Sequence, residues 1–236
     1  MTVALAVLGV IAGVLTTLAG QGGGLFLLVA CSFLVGPHAA LAITAPALLL
    51  GNLHRAVLFR RFIDRGIAVR VVVGAIPGAF CGGLLAGAIP AWALEVLLVG
   101  LTLVAIARAL RWLAWDVPRW ALLPAGVVIG AMTGTAGGAG VLYSPVLLSS
   151  GLRGAALVGT LSTIGFATHV GRVVAYGSVG FFTWDLLVRT AVVALAISAG
   201  NYVGERMRSR LPDALTTRLE YGVLVVCACV SLAGLR

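Results

Sequence analysis

The chain has 236 residues, 61% of them hydrophobic and 10% charged, with a mean hydropathy of +1.14. A soluble domain carries about 25% charged residues, so the composition excludes one and predicts a polytopic membrane protein with short polar loops. The net charge of +9 is carried by arginine without lysine, and no basic run with interleaved aromatics points to nucleic acid.

The N-terminus, Met1-Thr2-Val3-Ala4, has no charged n-region, so the first span is expected to be retained rather than cleaved. Hydropathy and breakers predict ten apolar segments. The first half holds 2–19, 24–35, 38–59, 67–88 and 92–113; the second holds 119–135, 140–150, 154–176, 184–207 and 213–235. A full crossing needs about 20 residues. The second segment of each half has 11 or 12 residues, roughly 17 Å of helix, too short to span comfortably alone.

Before each short segment stands a glycine cluster, Gly20-Gln21-Gly22-Gly23-Gly24 and Gly134-Thr135-Ala136-Gly137-Gly138-Ala139-Gly140. Glycine costs about 1 kcal/mol against alanine within a helix, so each cluster predicts a helix break. Inside lipid, broken backbone is tolerated only where protein or a water-filled cavity satisfies it.

The halves overlay by identity. Gly24, Leu41 and Thr44 meet Gly140, Leu157 and Thr160 at a shift of 116. Arg55 meets Arg172 at 117, where Phe59 also meets Tyr176. Gly78, Gly82 and Pro90 meet Gly200, Gly204 and Pro212 at 122. Arginines cluster after the third segment of the first half (Arg55, Arg60, Arg61, Arg65, Arg70) but after the fourth of the second (Arg206, Arg208, Arg210, Arg218). With Arg108, Arg111, Arg119 and Arg153, thirteen of sixteen then face the cytoplasm, and Arg172, Arg189 and Arg236 lie outside. Equivalent segments thus run in opposite directions. The fold expected is an all-α polytopic membrane protein of two inverted-topology repeats of about five segments each, about 2–113 and 119–235, in one domain over 1–236, both termini extracytoplasmic.

Two breaks entering from opposite faces meet near the midplane in such a repeat. Free N–H groups at the starts of the short helices favour an anion there; the competing reading is tight small-residue packing. The candidate substrate-binding residues are Gln21, Gly22, Gly23, Gly24, Thr44, Asn52, Gly137, Gly138, Gly140, Thr160, Ser162, Thr163 and His169. Their neutral hydrogen-bonding side chains suit an oxyanion, although a threonine in a membrane helix often bonds its own i−4 carbonyl. Arg55, beside His54, and Arg172, near His169, end the third segments, where an arginine either snorkels to the interface or forms an electropositive vestibule. No carboxylate stands alone in mid-span.

The four cysteines (Cys31, Cys81, Cys227, Cys229) show no metal spacing and read as small packing residues. No catalytic motif has its partner residues, so no enzyme, catalytic residue, metal or cofactor is expected.

The chain resembles the TauE/SafE family of sulfite exporters, also called TSUP transporters, from about residue 5 to 235. The resemblance rests on Ala19-Gly20-Gln21-Gly22-Gly23-Gly24-Leu25 and Gly137-Gly138-Ala139-Gly140-Val141, each followed by a small-residue helix, Gly36-Pro37-His38-Ala39-Ala40-Leu41-Ala42-Ile43-Thr44 and Gly154-Ala155-Ala156-Leu157-Val158-Gly159-Thr160. The family's later Pro-Gly-x-x-x-Gly reads Pro77-Gly78-Ala79-Phe80-Cys81-Gly82 and is reduced to Gly200-Asn201-Tyr202-Val203-Gly204 in the second half. Gln21 and Ala139 depart from the commonest pattern.

The resemblance implies a secondary transporter in the bacterial inner membrane, moving sulfite, sulfonates or related sulfur-containing organic anions by alternating access. Its expected partners are a small anionic substrate and the lipid bilayer, with H+ or Na+ as candidate coupling ion and a homodimer as candidate assembly. The alternatives are a metal-cation exporter or a non-transporting structural membrane protein.

Overall fold

The computed structural model describes residues 1–19, 22–109, 117–208 and 222. Among these described residues nine α-helices follow in order: α1 (Thr2–Ala19), α2 (Gly23–Val35), α3 (Pro37–Leu58), α4 (Arg65–Ala86), α5 (Ala91–Ala109), α6 (Leu122–Ala136), α7 (Tyr143–Ser149), α8 (Gly154–Ser178) and α9 (Trp184–Arg208). Short 3-10 turns occupy Arg60–Phe62, Arg119–Ala121 and Gly138–Leu142. No strand occurs among the described residues. The expected tenth segment, 213–235, lies outside them apart from Gly222, as do Gln21, Arg111, Arg210, Arg218, Arg236 and the two C-terminal cysteines.

Local chemistry sets the helix limits. Pro37 opens α3 at a position whose N–H needs no intrahelical partner. Asp64 caps α4, its carboxylate accepting from the Ile67 N–H at 2.9 Å. Four helices, α3, α4, α8 and α9, are long and apolar enough to cross a membrane. Their outward faces carry exposed Val, Leu and Ile such as Val69, Val73, Val174 and Leu195, which are stable there only against lipid.

Small residues decide how the helices pair. A Cβ on Gly74 would overlap the Leu123 carbonyl, one on Gly78 that of Val127 and one on Gly82 that of Ala131. α4 and α6 therefore lie backbone to backbone, in the manner of small-xxx-small contacts, and because both numbers rise together they run parallel. The same test aligns Gly9 with Val193 and Ala196, Gly13 with Ile197, and Gly204 with Val14 and Thr17, so α1 and α9 are parallel too. Thr190 bonds the Ile43 carbonyl and Asn201 that of Gly51, which sets α3 parallel to α9, and Gly171 meets Ile76 and Ala79 while Gly83 meets Ala175, which sets α8 parallel to α4.

Across the middle, Arg55 bonds Ser162 and Gly165 abuts Asn52, so α3 and α8 are antiparallel. Hence α1, α3 and α9 point one way, and α6, α8 and α4 the other. The first, third and fourth segments of one half oppose their counterparts in the other, which is the inverted-topology repeat expected from the arginines. The described arginines in the loops follow: α4, α6 and α8 begin, and α3 and α9 end, on a single rim. That rim carries Arg60, Arg61, Arg65, Arg70, Arg119, Arg153, Arg206 and Arg208, whereas Arg189 pairs with Asp185 near the start of α9 on the other.

The short segments differ between the halves. α2 is a continuous helix of 13 residues, whereas its counterpart is a five-residue 3-10 turn followed by the seven residues of α7. Pro145 has no N–H to give the Val141 carbonyl, and Gly138-Ala139-Gly140 is poor helix former, so the tighter turn takes over.

Candidate functional site

Each glycine cluster makes the break expected of it. Gly22, before α2, has φ +88°, and Gly137, after α6, has φ +85°. That left-handed region is open to glycine without the steric cost a side chain incurs. Gly137 also ends α6, its N–H donating to the Thr133 carbonyl at 2.9 Å. Neither short piece has a side chain capping its first N–H groups.

Both breaks open onto one cavity of about 70 Å³. A single water needs roughly 10–15 Å³ of such space, so the cavity admits a ligand of several heavy atoms. Its wall is made of equivalent residues from the two halves. Gly22 and Gly138, Gly24 and Gly140, and Leu25 and Val141 are 116 apart. Thr16 and Thr133, Leu48 and Gly165, and Asn52 and His169 are 117 apart. The cavity thus straddles the axis relating the repeats. Leu48 and Gly165 fall in the middle of α3 and α8, so it lies at mid-depth rather than at a surface. Thr16 and Thr133 each donate to the carbonyl four residues back, Ala12 and Ile129. Tyr143 and Thr168 add a hydroxyl pair 3.1 Å apart.

Burial excludes one of the two readings of the arginines. Neither snorkels: Arg55 is 4% exposed and Arg172 fully buried. Arg55 lines the cavity, with Nε donating to Ser162 Oγ at 2.6 Å and Nη2 to Asn52 Oδ1 at 2.7 Å, while its buried Nη1 has no partner. Arg172 stands behind the wall, where a Cβ on Gly137 would lie 3.0 Å from its Nη2. Its Nη1 is 3.1 Å from His169 Nδ1, its Nη2 donates to the Tyr176 hydroxyl at 3.3 Å, and its Nε has no partner. A guanidinium only donates, so Nδ1 of His169 accepts and the imidazole proton sits on Nε2. Tyr176 in turn donates to the Gly134 carbonyl at 2.6 Å, tying α8 to the glycine-rich end of α6.

Among the described residues no carboxylate is paired with either arginine, whereas the exposed Arg189 pairs with Asp185 at 2.8 Å. Arg55 sits level with Ser162, and Arg172 is ten residues further along α8, about 15 Å. The cavity residues Gly165, Thr168 and His169 lie between them. One arginine therefore flanks the cavity towards each end of the bundle.

Of the candidate site residues, Gly22, Gly24, Asn52, Gly137, Gly138, Gly140 and His169 line the cavity, and Gln21 lies outside the described residues. The others do not line it. Gly23 faces the backbone of Ala12 and Thr16 and packs α2 on α1. Thr160 Oγ1 accepts from the Asp64 N–H at 3.0 Å, holding the turn before α4. Thr163 donates to Gly159 at 3.0 Å. Ser162 braces Arg55 and donates to Val158 at 2.6 Å. Thr44 is buried, its hydroxyl unpartnered, and does not line the cavity. Thr16, Arg55 and Tyr143 also line the cavity and are not among the candidates; the shift of 117 that joins Arg55 to Arg172 also joins Asn52 to His169 and Thr16 to Thr133, and was the available signal.

The family model described as sulfite exporter TauE/SafE matches residues 5–232, nearly the whole chain. The chain belongs to the TauE/SafE family. No curated protein and no solved structure matches it. Membership makes this TauE/SafE protein a multi-pass membrane protein of the anion-exporter type, in agreement with its long apolar helices. The glycine-rich stretches that carry the resemblance are those that open the cavity.

Proposed function

We propose that this chain is a secondary transporter of a small anion, with sulfite, sulfonates and related sulfur-containing organic anions as the substrate class, and that it works by alternating access at the cavity between the two glycine breaks. The observation that carries the proposal is Arg55: a guanidinium buried in the cavity wall, one nitrogen unbonded, with no carboxylate against it. A buried charge without a partner costs several kcal/mol, and an anion in the cavity supplies both the missing charge and the missing acceptor. Around it, Asn52 orients the guanidinium, His169 offers Nε2–H, and Gly24 and Gly140 leave room for close approach to the backbone. Arg172 extends the positive potential towards the other end.

Inverted repeats supply two alternative packings of nearly equal energy. Rocking one repeat against the other opens the cavity first beside Arg55 and then beside Arg172, so each access route carries an arginine. The one-domain reading, with repeats at about 2–113 and 119–235, belongs to this mechanism. By the positive-inside rule, the arginine rim is cytoplasmic and the protein sits in a bacterial inner membrane with extracytoplasmic termini. An electropositive cavity without a carboxylate disfavours a metal cation as substrate.

Proteoliposome flux of radiolabelled sulfite and a panel of sulfonates tests the proposal. Saturable uptake lost in Arg55→Gln is expected; no saturable flux of any small anion refutes it.

A further inference from the structure

We infer that a second anion site lies on the arginine-rich rim, outside the cavity, and that it holds the phosphodiester headgroup of an anionic phospholipid. A surface pocket of about 370 Å³ is lined by Arg70, Arg119, Trp120 and Leu123. It forms because α4 and α6 are parallel and glycine-packed: Gly74 lies on the Leu123 carbonyl, which brings the first turns of α4 beside the turn that opens α6. Both arginines are exposed, and neither has a hydrogen-bond or ion-pair partner among the described residues. Two guanidinium forks beside each other suit a phosphate oxyanion, which guanidinium binds bidentately. Trp120, 79% exposed, supplies the aromatic ring that favours the headgroup level of a bilayer.

Free phosphate would use the arginines alone, whereas the surroundings favour a lipid. Beyond the pocket, the exposed faces of both helices are apolar: Val73, Pro77 and Cys81 on α4, and Val127, Val128 and Met132 on α6. A headgroup held at Arg70 and Arg119 lays its acyl chains along these faces, and its phosphate satisfies both guanidiniums. Arg60, Arg61 and Arg65, exposed on the same rim, strengthen the attraction to an anionic leaflet. Asp64, the acid nearest Arg70 in sequence, is occupied as the α4 cap; Asp116, the acid nearest Arg119, lies outside the described residues.

The test is native mass spectrometry of the detergent-purified protein incubated with phosphatidylglycerol or phosphatidylcholine, alongside its thermal midpoint with each lipid and with millimolar inorganic phosphate. The expected result is selective retention of phosphatidylglycerol and a raised midpoint, with any response to inorganic phosphate the same in wild type, Arg70→Gln and Arg119→Gln. Arg70→Gln and Arg119→Gln should each weaken retention roughly fivefold, the factor that about 1 kcal/mol per arginine at an anionic surface gives. Arg189→Gln on the opposite rim should leave it unchanged.

Equal retention of the two lipids, unchanged retention in both rim variants, an equal loss in Arg189→Gln, or a midpoint shift that inorganic phosphate reproduces in wild type and not in the rim variants would each overturn the inference. These readouts do not involve flux, so the lipid site stands or falls apart from the transport reading.

Discussion

Arg55 and Arg172 occupy equivalent positions of the two repeats, and each is gripped by the residue three positions before it, Asn52 at 2.7 Å and His169 at 3.1 Å. One helical turn separates each pair, so both grips repeat the same i, i+3 geometry. The two diverge one turn further on. Tyr176 anchors Arg172 to the α6 end, while its counterpart Phe59 has no hydroxyl to hold Arg55. The arginine without that tether is the one in the cavity wall.

Arg55→Gln should fold, because no buried carboxylate is stranded by the loss of the charge. A hydrogen bond to a charged group contributes about 1.5–3 kcal/mol, so sulfite or sulfonate affinity should fall on the order of tenfold to a hundredfold. Thermal stabilisation by added anion measures this directly. Undiminished stabilisation in the variant would remove Arg55 from the site.

Glycine substitutions should separate site from scaffold. A Cβ at Gly24 meets only the Leu48 methyls at 3.6 and 3.7 Å, and one at Gly140 meets nothing within 4 Å. Alanine at either position should therefore leave yield and melting temperature near wild type while lowering flux. Alanine at Gly78 or Gly82 should instead reduce the folded fraction, since each overlaps a carbonyl of α6. Fluorescence-detected size exclusion with a flux assay distinguishes the two classes.

Tyr176→Phe removes the hydroxyl that links Arg172 to the Gly134 carbonyl. Leaving a buried partner unsatisfied costs about 1–3 kcal/mol, so a lowered thermal midpoint is expected. Phe59→Tyr, at the equivalent position, lacks this network and should not raise it.

Asn201 binds three helices: its Nδ2 donates to the Gly51 carbonyl at 2.9 Å and its Oδ1 accepts from Thr17 Oγ1 at 3.0 Å. Asn201→Leu should destabilise the α1–α3–α9 group by a similar amount, seen as a drop in midpoint, without changing anion selectivity among the molecules that remain folded.

Single cysteines replacing Arg65, Arg119 and Arg153 should react with an impermeant reagent from one face, and one replacing Gly180 from the other. The transport reading adds that the arginine face is cytoplasmic. Labelling of position 65 from outside would reverse that orientation.

The amino-acid sequence by itself determined the membrane class, the helix breaks and the opposed repeats. Hydropathy, glycine propensity and arginine placement are local or additive properties, each readable without knowing which helices touch. It also supplied Gly22 and Gly137 of the cavity wall, because a break with positive φ favours glycine wherever it packs. Which polar residues face the cavity was decided only by tertiary structure. Thr44 and Thr160 match by identity at a shift of 116, one residue off the 117 that relates Leu48, Asn52 and Arg55 to Gly165, His169 and Arg172; Thr160 holds the turn before α4, and Thr44 is buried without lining the cavity. The direction each side chain takes depends on the rotation of α3 against α8, set by contacts such as Gly165 on Asn52. The arginines show the same limit: near a helix end an arginine ordinarily reaches for water, and only the packing of the neighbouring helices over Arg55 and Arg172 keeps them inside.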